Sequence, residues 1–598
     1  MKAARVLLGL VALLFSSAIL AGNPHHGHRD QSPSKMLAAL GDQFYLAQAN
    51  FDPVGNATLV GDNRFDSNLN INIDPNQRTR QALELQRIER QLRTIRREQL
   101  STTDAVSYDV LDNLLQLNIG ILKYPDHLLP LEHMSAMPIV LANLGSGQAE
   151  QPLNTVAQYE AYRKRISRLP LWIDQALMNM RKGIRLGIVQ SRPIAQAILI
   201  PLKQLTNPLD TNPYYAPIRH MPATFDGASK ERLKKEYEDT VRTQIIPAMK
   251  ELVVFVETKY LPASRNTDGW GALPDGASWY KQWINFQTTT DLEPEAIHDL
   301  GLQEVARIQG ELAKLAPKLG YTGDPKDLLA WVRTNPKYLS FKNETEILDA
   351  YRAINERVKP QLPKLFGRMP KAPLDIRPEP ELTRDGASDH YSIPAEDGSR
   401  PGVFWAVINN PADYNLAMMG SLFLHEGQPG HHFHLALQQE MNLPEFRKRA
   451  QINAFAEGWA LYAETLGHEM GLYDDPVMYV SNLRLEMMRA VRLVVDTGIH
   501  AKGWTHDQAI AYMMKNTGFS EPQARNQIER YMVWPGQALG YKIGALKIQQ
   551  LRERAKIALG AKFNMAAFHD EVLAEGSLPL SVLEARINHW IEDQRRSL

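Results

Sequence analysis

A mostly α-helical fold with a small β-sheet is predicted by three observations. Apolar residues recur at helical spacing in stretch after stretch, with charged residues between them. Strand-like candidates are few, and the best is residues 402–408 (GVFWAVI), an aromatic and β-branched run. The 598 residues are 44% hydrophobic and 22% charged, a globular composition with ample material for a core.

The first element along the chain is a processing signal rather than part of the fold. Lys2 and Arg5 form a short basic region, and residues 6–21 are uncharged and rich in Leu, Ala and Val. That stretch is short for a membrane span and reads as a secretory signal peptide. Cleavage is expected after the small Ala21, giving an exported protein, soluble in the bacterial periplasm and with no stable membrane insertion. Leu20-Ala21-Gly22 is similar to the start of a lipoprotein box, but residue 23 is Asn where that box requires Cys. His25, His26 and His28 follow, and are read as a disordered leader rather than a metal-capturing tail, because nothing nearby could bury them. Residues 22–75 are rich in Asn, Asp and Gly and are predicted to form a weakly structured leader.

Helices are predicted from there on. Residues 78–99 carry Leu83, Leu85, Ile88, Leu92 and Ile95 at helical spacing, and 157–186 continue in the same style. Residues 226–260 form a longer amphipathic stretch with a break expected at Pro247. Residues 294–315 open on Pro294 and carry Ile297, Leu300, Val305 and Ile308 on one side. There is no repeat of fixed period, no low-complexity block and no clean linker. Residues 76–290 and 291–598 are therefore read as two helical halves of one cleft-forming unit. No oligomeric preference is legible.

Composition excludes several functions. Lys and Arg number 67 and Asp and Glu number 67, so the basic excess of a nucleic-acid binder is missing. The chain has no cysteine, which excludes disulfides, iron–sulfur clusters, thiolate nucleophiles and Cys-ligated zinc. A metal would have to be held by His, Asp or Glu.

One segment supplies those ligands. Of 17 histidines, four fall within residues 425–434, in the run L-H-E-G-Q-P-G-H-H-F-H. Asn410 and Pro411 mark a helix start, and the apolar residues 416–424 place His425 and Glu426 near the end of a buried helix. A buried glutamate beside a histidine needs a partner, and a divalent metal is the obvious one. In the zinc-peptidase motif H-E-x-x-H the two histidines share a helix face and Glu is the general base. Here the fourth residue after His425 is Pro429. On an ideal helix His431 would lie about 120° from the face of His425, and His432 only about 20°. Pro429 lacks a donor and Gly430 is flexible, so a two-residue bulge over 427–430 would instead favour His431. The residues alone leave His431 and His432 open.

Residues 454–469 supply carboxylates. Glu457 stands 26 residues beyond His431, and Glu457 and Glu464 are seven apart on one apolar helix face. Glu457 is the expected third ligand, with Glu464 orienting a ligand histidine. Two histidines and one carboxylate suit one catalytic zinc per chain and leave an open position, and other divalent metals accept the same ligands.

The strings HEGQPGHH, AFAEGWALYAE, VDTGIH and PGQALGYKIG resemble the bacterial family called domain of unknown function 885. So does LPDGASWYKQWINFQTTTDLEPEAIHDLGLQEVARI, and matching runs extend from about residue 100 to about residue 586. The resemblance implies distant kinship with helical zinc peptidases: thimet oligopeptidase, neurolysin, angiotensin-converting enzyme and the thermostable carboxypeptidases. It implies a large two-lobed helical shell around a deep cleft, with a short sheet edge that 402–408 would form and that an extended substrate could join. It favours His431 over His432. It implies zinc on His425, His431 and Glu457 lowering the pKa of a water, Glu426 as general base, and Tyr541 as oxyanion stabiliser. His500, with Asp496 four residues before it, is a candidate for binding substrate, and His432 for a supporting role. Arg489 and Arg492 are candidates for holding a peptide carboxylate, and Gln537 is a further donor candidate.

The expected function is an exported zinc metallopeptidase that hydrolyses short peptides, of oligopeptidase or carboxypeptidase type. Two alternatives belong to other classes. One is a zinc amidase or other hydrolase on a non-peptide or cell-wall-derived substrate. The other is a non-enzymatic metal-bound periplasmic binding protein, against which Glu426 speaks, because a binder needs no base.

Overall fold

Helices begin at Pro33, inside the stretch expected to be weakly structured. The computed structural model describes residues 32–147, 149–379, 384, 388–394, 398, 400–450 and 452–596. The signal peptide and His25, His26 and His28 lie outside the described residues. The helix Pro33–Phe51 buries Leu37, Leu40, Phe44 and Tyr45. Those positions recur at three, four and seven residues and make one stripe, a pattern that outweighs the local Asn, Asp and Gly content. The leader reading is thus corrected over this helix.

The later helices follow the apolar spacing with three adjustments. Residues 78–99 fold as Pro75–Leu92 and the 3₁₀ turn Arg97–Gln99. Leu85, Ile88 and Leu92 are buried, but Leu83 is 57% exposed, because two residues on an α-helix turn about 200°. Residues 157–186 divide into Val156–Ile166 and Leu169–Leu186, the first opened by a Thr155–Gln158 capping box. Pro247 does not break its helix. A π-helical turn, Thr240–Ile245, precedes Ile246–Phe255, and the Ile246 N–H reaches back five residues to the Val241 carbonyl. The widened turn accommodates a ring that an α turn would reject. Pro294–Leu315 forms as expected and buries Ile297, Val305 and Ile308.

The sheet has three strands, β1 (Leu374–Pro378), β2 (His390–Ser392) and β3 (Gly402–Ala406), in the order β1-β3-β2. β3 pairs parallel with β1, Ile376 facing Phe404, and antiparallel with β2, Tyr391 facing Phe404. The strand expected at the edge is therefore central. Val403, Phe404 and Ala406 are all buried, and a run that is apolar on both faces belongs inside a sheet. With both sides paired, it offers no edge to an extended substrate.

Two large apolar cores fill the molecule. One joins the helices of residues 33–122 to the sheet and to the C-terminal helices as far as Ile591. The other joins residues 131–260 to 305–338 and 480–538. The helix Pro476–Lys502, buried without a break from Val480 to His500, is their shared wall. Leu485, Met488 and Leu493 enter the first core, and Val491, Val494 and Ile499 the second. Both cores draw on both sides of residue 290, so the two halves are interleaved. No described helix is long and apolar enough to cross a membrane.

Candidate metal centre

The helix Met419–Glu426 is buried at every position, and Gly427 ends it. A second helix, His431–Glu440, starts four residues later. The chain is thus broken and restarted between the two, rather than bulged within one helix. A Cβ on Gly430 would run into the carbonyls of Leu424 and His425, so only glycine lets the chain fold back this closely. Trp459 Nε1 donates to the Pro429 carbonyl at 2.9 Å and ties the connection to the helix Asn453–Thr465, which carries Glu457. That helix packs along Leu539–Leu559, which carries Tyr541. The two approach so closely that a Cβ on Gly458 would sit 2.6 Å from the Cα of Gly544.

These elements bring His425, His431 and Glu457 together. One ligand atom from each lies within 4.8 Å of the others, the only such group of three among the described residues. Nε2 of His425 is 3.4 Å and Nε2 of His431 is 3.5 Å from Oε2 of Glu457, too long for well-formed hydrogen bonds. Oε2 of Glu457 is buried and has no hydrogen-bond partner. Ligands about 2.0–2.1 Å from a tetrahedral zinc stand roughly 3.3 Å apart, so the three side chains fit a divalent cation.

Glu464 fixes the orientation of His425. Its Oε1 lies 2.8 Å from Nδ1 of His425, and its Oε2 accepts from the Ser421 hydroxyl. Nδ1 then carries the proton, and the lone pair of Nε2 points at Glu457. Burial favours neutral His425, but the carboxylates of Glu457 and Glu464 outweigh it and raise its pKa. Burial likewise opposes ionisation of Glu457, and the two facing imidazoles hold it well below the usual carboxylate range. Glu426 differs. Burial pushes it up to about 8, against the pull of His431, and Glu457 and Asp389 push the same way.

Tyr541 joins the group. Its ring lies near-parallel to that of His425, with centroids 6.4 Å apart. The guanidinium of Arg492 sits over it at 4.5 Å and that of Arg489 at 5.7 Å. Nη2 of Arg530 is 3.5 Å from its hydroxyl. Arg530 was not singled out in the sequence. It lies on a separate helix, Glu521–Val533, and no motif spacing marks it.

Other candidates stand apart. His432 turns to the sheet, where its Nδ1 meets the Tyr391 hydroxyl at 2.9 Å, and burial lowers it to about 4. The restart of the helix at His431 swings the next residue about 100° away from the ligand group. His500 is corrected from substrate binder to structural residue. Its Nδ1 accepts from the Trp270 N–H at 3.1 Å, and its Nε2 donates to the Tyr531 carbonyl at 2.9 Å. Burial lowers it to about 3, so it is neutral, with both nitrogens engaged. Asp496 serves Tyr280 and Gly536 rather than His500. Arg492 bonds Tyr531 and Gln527, and Gln537 accepts from Arg530 and donates to Asn453.

Comparisons with known proteins agree with this architecture. A family model described as "Bacterial protein of unknown function (DUF885)" matches residues 55–587. A protein of Colwellia psychrerythraea, provisionally assigned as a lipoprotein, is similar at 29% identity and a TM-score of 0.84, over 94% of this chain and 100% of that one. A provisionally assigned lipoprotein of unknown function from Shewanella oneidensis is similar at 20% identity and a TM-score of 0.72, over 93% of this chain and 99% of that one. A carboxypeptidase of Pyrococcus furiosus matches at 10% identity and a TM-score of 0.39, over 94% of this chain and 99% of that one, a level that carries no weight. No curated protein matches.

Proposed function

The chain belongs to the bacterial family of unknown function DUF885, and from that premise and its own site we propose that it is a zinc-dependent hydrolase of short peptides. One observation carries the reading: His425, His431 and Glu457 converge beside the buried carboxyl group of Glu426. A zinc ion on these residues would lower the pKa of a water molecule towards ~7 and polarise a carbonyl.

The remaining chemistry belongs to side chains of this chain. Glu426 accepts a proton from the attacking water and returns it to the leaving amine, work suited to a carboxylate whose pKa is raised towards neutrality. The Tyr541 hydroxyl donates to the substrate oxygen as that oxygen gains negative charge, with the guanidinium of Arg492 against its ring. Glu464 holds the ring of His425 in place. Export to the periplasm is part of the same proposal, supported by the N-terminal sequence.

The test is a peptide-library digestion read by mass spectrometry, beside metal analysis of the purified protein. About one zinc per chain is expected, with cleavage that stops on chelation and in Glu426→Gln. Cleavage that survives chelation, or full activity in Glu426→Gln, sinks the proposal. Cleavage of amides but not of peptides would move the function to a zinc amidase.

A further inference from the structure

We infer that Arg530 anchors a carboxylate of the substrate, within about one residue of the bond that is cut. The inference rests on the hydrolase reading above. The guanidinium of Arg530 is half-buried and held on three sides: by the Trp534 ring at 5.4 Å, Oε1 of Gln537 at 2.9 Å and the Tyr541 hydroxyl at 3.5 Å. All three partners are neutral. Among the described residues no carboxylate lies within ion-pair distance of it, and its buried Nε has no hydrogen bond. Arg307, by contrast, is paired with Glu304 and Glu486. A partly desolvated arginine held without a counter-ion, in contact with the hydroxyl of Tyr541, suits the carboxylate of a bound substrate.

The surrounding charge points the same way. Arg492 is 3% exposed, stacks on the other side of the site against Tyr541, and its buried Nη1 has no partner. Arg489 has Glu464 at 3.9 Å and donates to the Leu485 carbonyl at 3.4 Å. Three guanidinium groups and a divalent cation face the carboxylates of Glu426, Glu457 and Glu464, so the loaded site carries net positive charge. A neutral substrate would leave that charge uncompensated.

Spacing sets how far the carboxylate lies from the reacting carbonyl. An extended chain advances about 3.3 Å per residue. Donors 3.5 Å apart that face one substrate therefore reach groups on the same or adjoining residues, with the scissile carbonyl at Tyr541 and the carboxylate at Arg530. Two sources supply that group: the terminal carboxylate of a peptide that loses its last residue, or an acidic side chain next to the cut.

The experiment uses zinc-loaded full-length Glu426→Gln protein, which binds peptides without consuming them. Three acetylated tripeptides are titrated by calorimetry and by tryptophan fluorescence: a free acid, its C-terminal amide, and an amide ending in aspartate. The free acid is expected to bind at least tenfold more tightly than the plain amide. Arg530→Ala is expected to erase that difference and Arg530→Lys to restore part of it. An aspartyl amide that binds as the acid does assigns the carboxylate to a side chain, still through Arg530. Equal binding of acid and amide, or a preference that survives Arg530→Ala, overturns the anchor and leaves the hydrolase reading intact. No binding of any peptide, with no cleavage by the wild type, removes that reading and the anchor together.

Discussion

Nδ1 of His425 lies 2.8 Å from Oε1 of Glu464, a carboxylate with no solvent exposure at all. The pair sets which imidazole nitrogen is free to face Glu457. Glu464→Gln keeps the size but weakens the acceptor, and zinc affinity is expected to fall about 10–100-fold. Glu464→Ala also strands the Ser421 hydroxyl and Nδ1 of His425, and should cost roughly 1–3 kcal/mol of stability as well. Competition with a chromophoric chelator measures the first effect and urea denaturation the second. Unchanged affinity in Glu464→Gln would show that His425 needs no orienting partner.

The neighbouring histidines separate cleanly in their expected behaviour. His431→Ala removes one of the three convergent groups, so bound zinc should be lost on dialysis. His432→Ala removes a contact with Tyr391 on the sheet, so zinc should stay while stability drops by about 1 kcal/mol. Metal analysis of the two dialysed variants decides between them, and zinc retained by His431→Ala would refute the ligand set.

The convergence of His425, His431 and Glu457 was legible because chemistry restricts such patterns. Four histidines in ten residues, a following glutamate pair and no cysteine leave few explanations. The choice between His431 and His432 was not legible from helical angles, because it depends on a chain break and on Gly430 packed against the Leu424 and His425 carbonyls. Spacing gave Pro294–Leu315 to the residue but missed Pro33–Phe51, where polar composition masked a clear apolar stripe. The edge position that the resemblance implied for β3 did not hold, since strand order depends on which strands pair on either side. For His500 the sequence left substrate binding and a structural role open, because the two backbone partners that decide it lie 230 and 31 residues away. Arg530 escaped because the contact with Tyr541 joins two separate helices.

In metal-free protein the contribution of Glu426 to stability should fall as pH rises from 5.5 to 8, opposite in sign to that of buried neutral histidines such as His432 and His500. Burial raises Glu426 from 4.5 to about 8, so the folded chain holds that proton more tightly than the unfolded chain. Stability from this group is full below pH 4.5 and is lost as pH rises through about 8. His425, also raised, adds a loss of the same sign above pH 6.5. Glu457 is held well below 4.5, so its contribution is constant in this window. Glu426→Gln removes this contribution, so the stability difference between wild type and variant should change by up to a few kcal/mol between pH 5.5 and 8. Denaturation of chelated wild type and variant across this range checks the slope. A difference between wild type and variant that does not change with pH would show that Glu426 is not held protonated by the fold.

The last expectation concerns a glycine that touches no ligand. A Cβ on Gly458 would meet the Cα and carbonyl carbon of Gly544 and the amide nitrogen of Ala545, at 2.6, 2.7 and 2.9 Å. All three are backbone atoms and cannot rotate aside, so the helices Asn453–Thr465 and Leu539–Leu559 would have to separate. Alanine gains about 1 kcal/mol in helix propensity over glycine, while forcing a packed contact apart typically costs 1–3 kcal/mol. Gly458→Ala should therefore destabilise, and Gly458→Val more so. These helices carry Glu457 and Tyr541, so their separation should also weaken zinc binding and slow turnover. Gly310 provides the contrast. It lies exposed in the helix Pro294–Leu315, with nothing within 4 Å of a Cβ built on it, and Gly310→Ala should stabilise by up to about 1 kcal/mol without changing zinc affinity. Urea denaturation and zinc titration of both variants give the comparison. A Gly458→Ala protein as stable as Gly310→Ala would mean that the helix pair yields easily and does not set the distance between Glu457 and Tyr541.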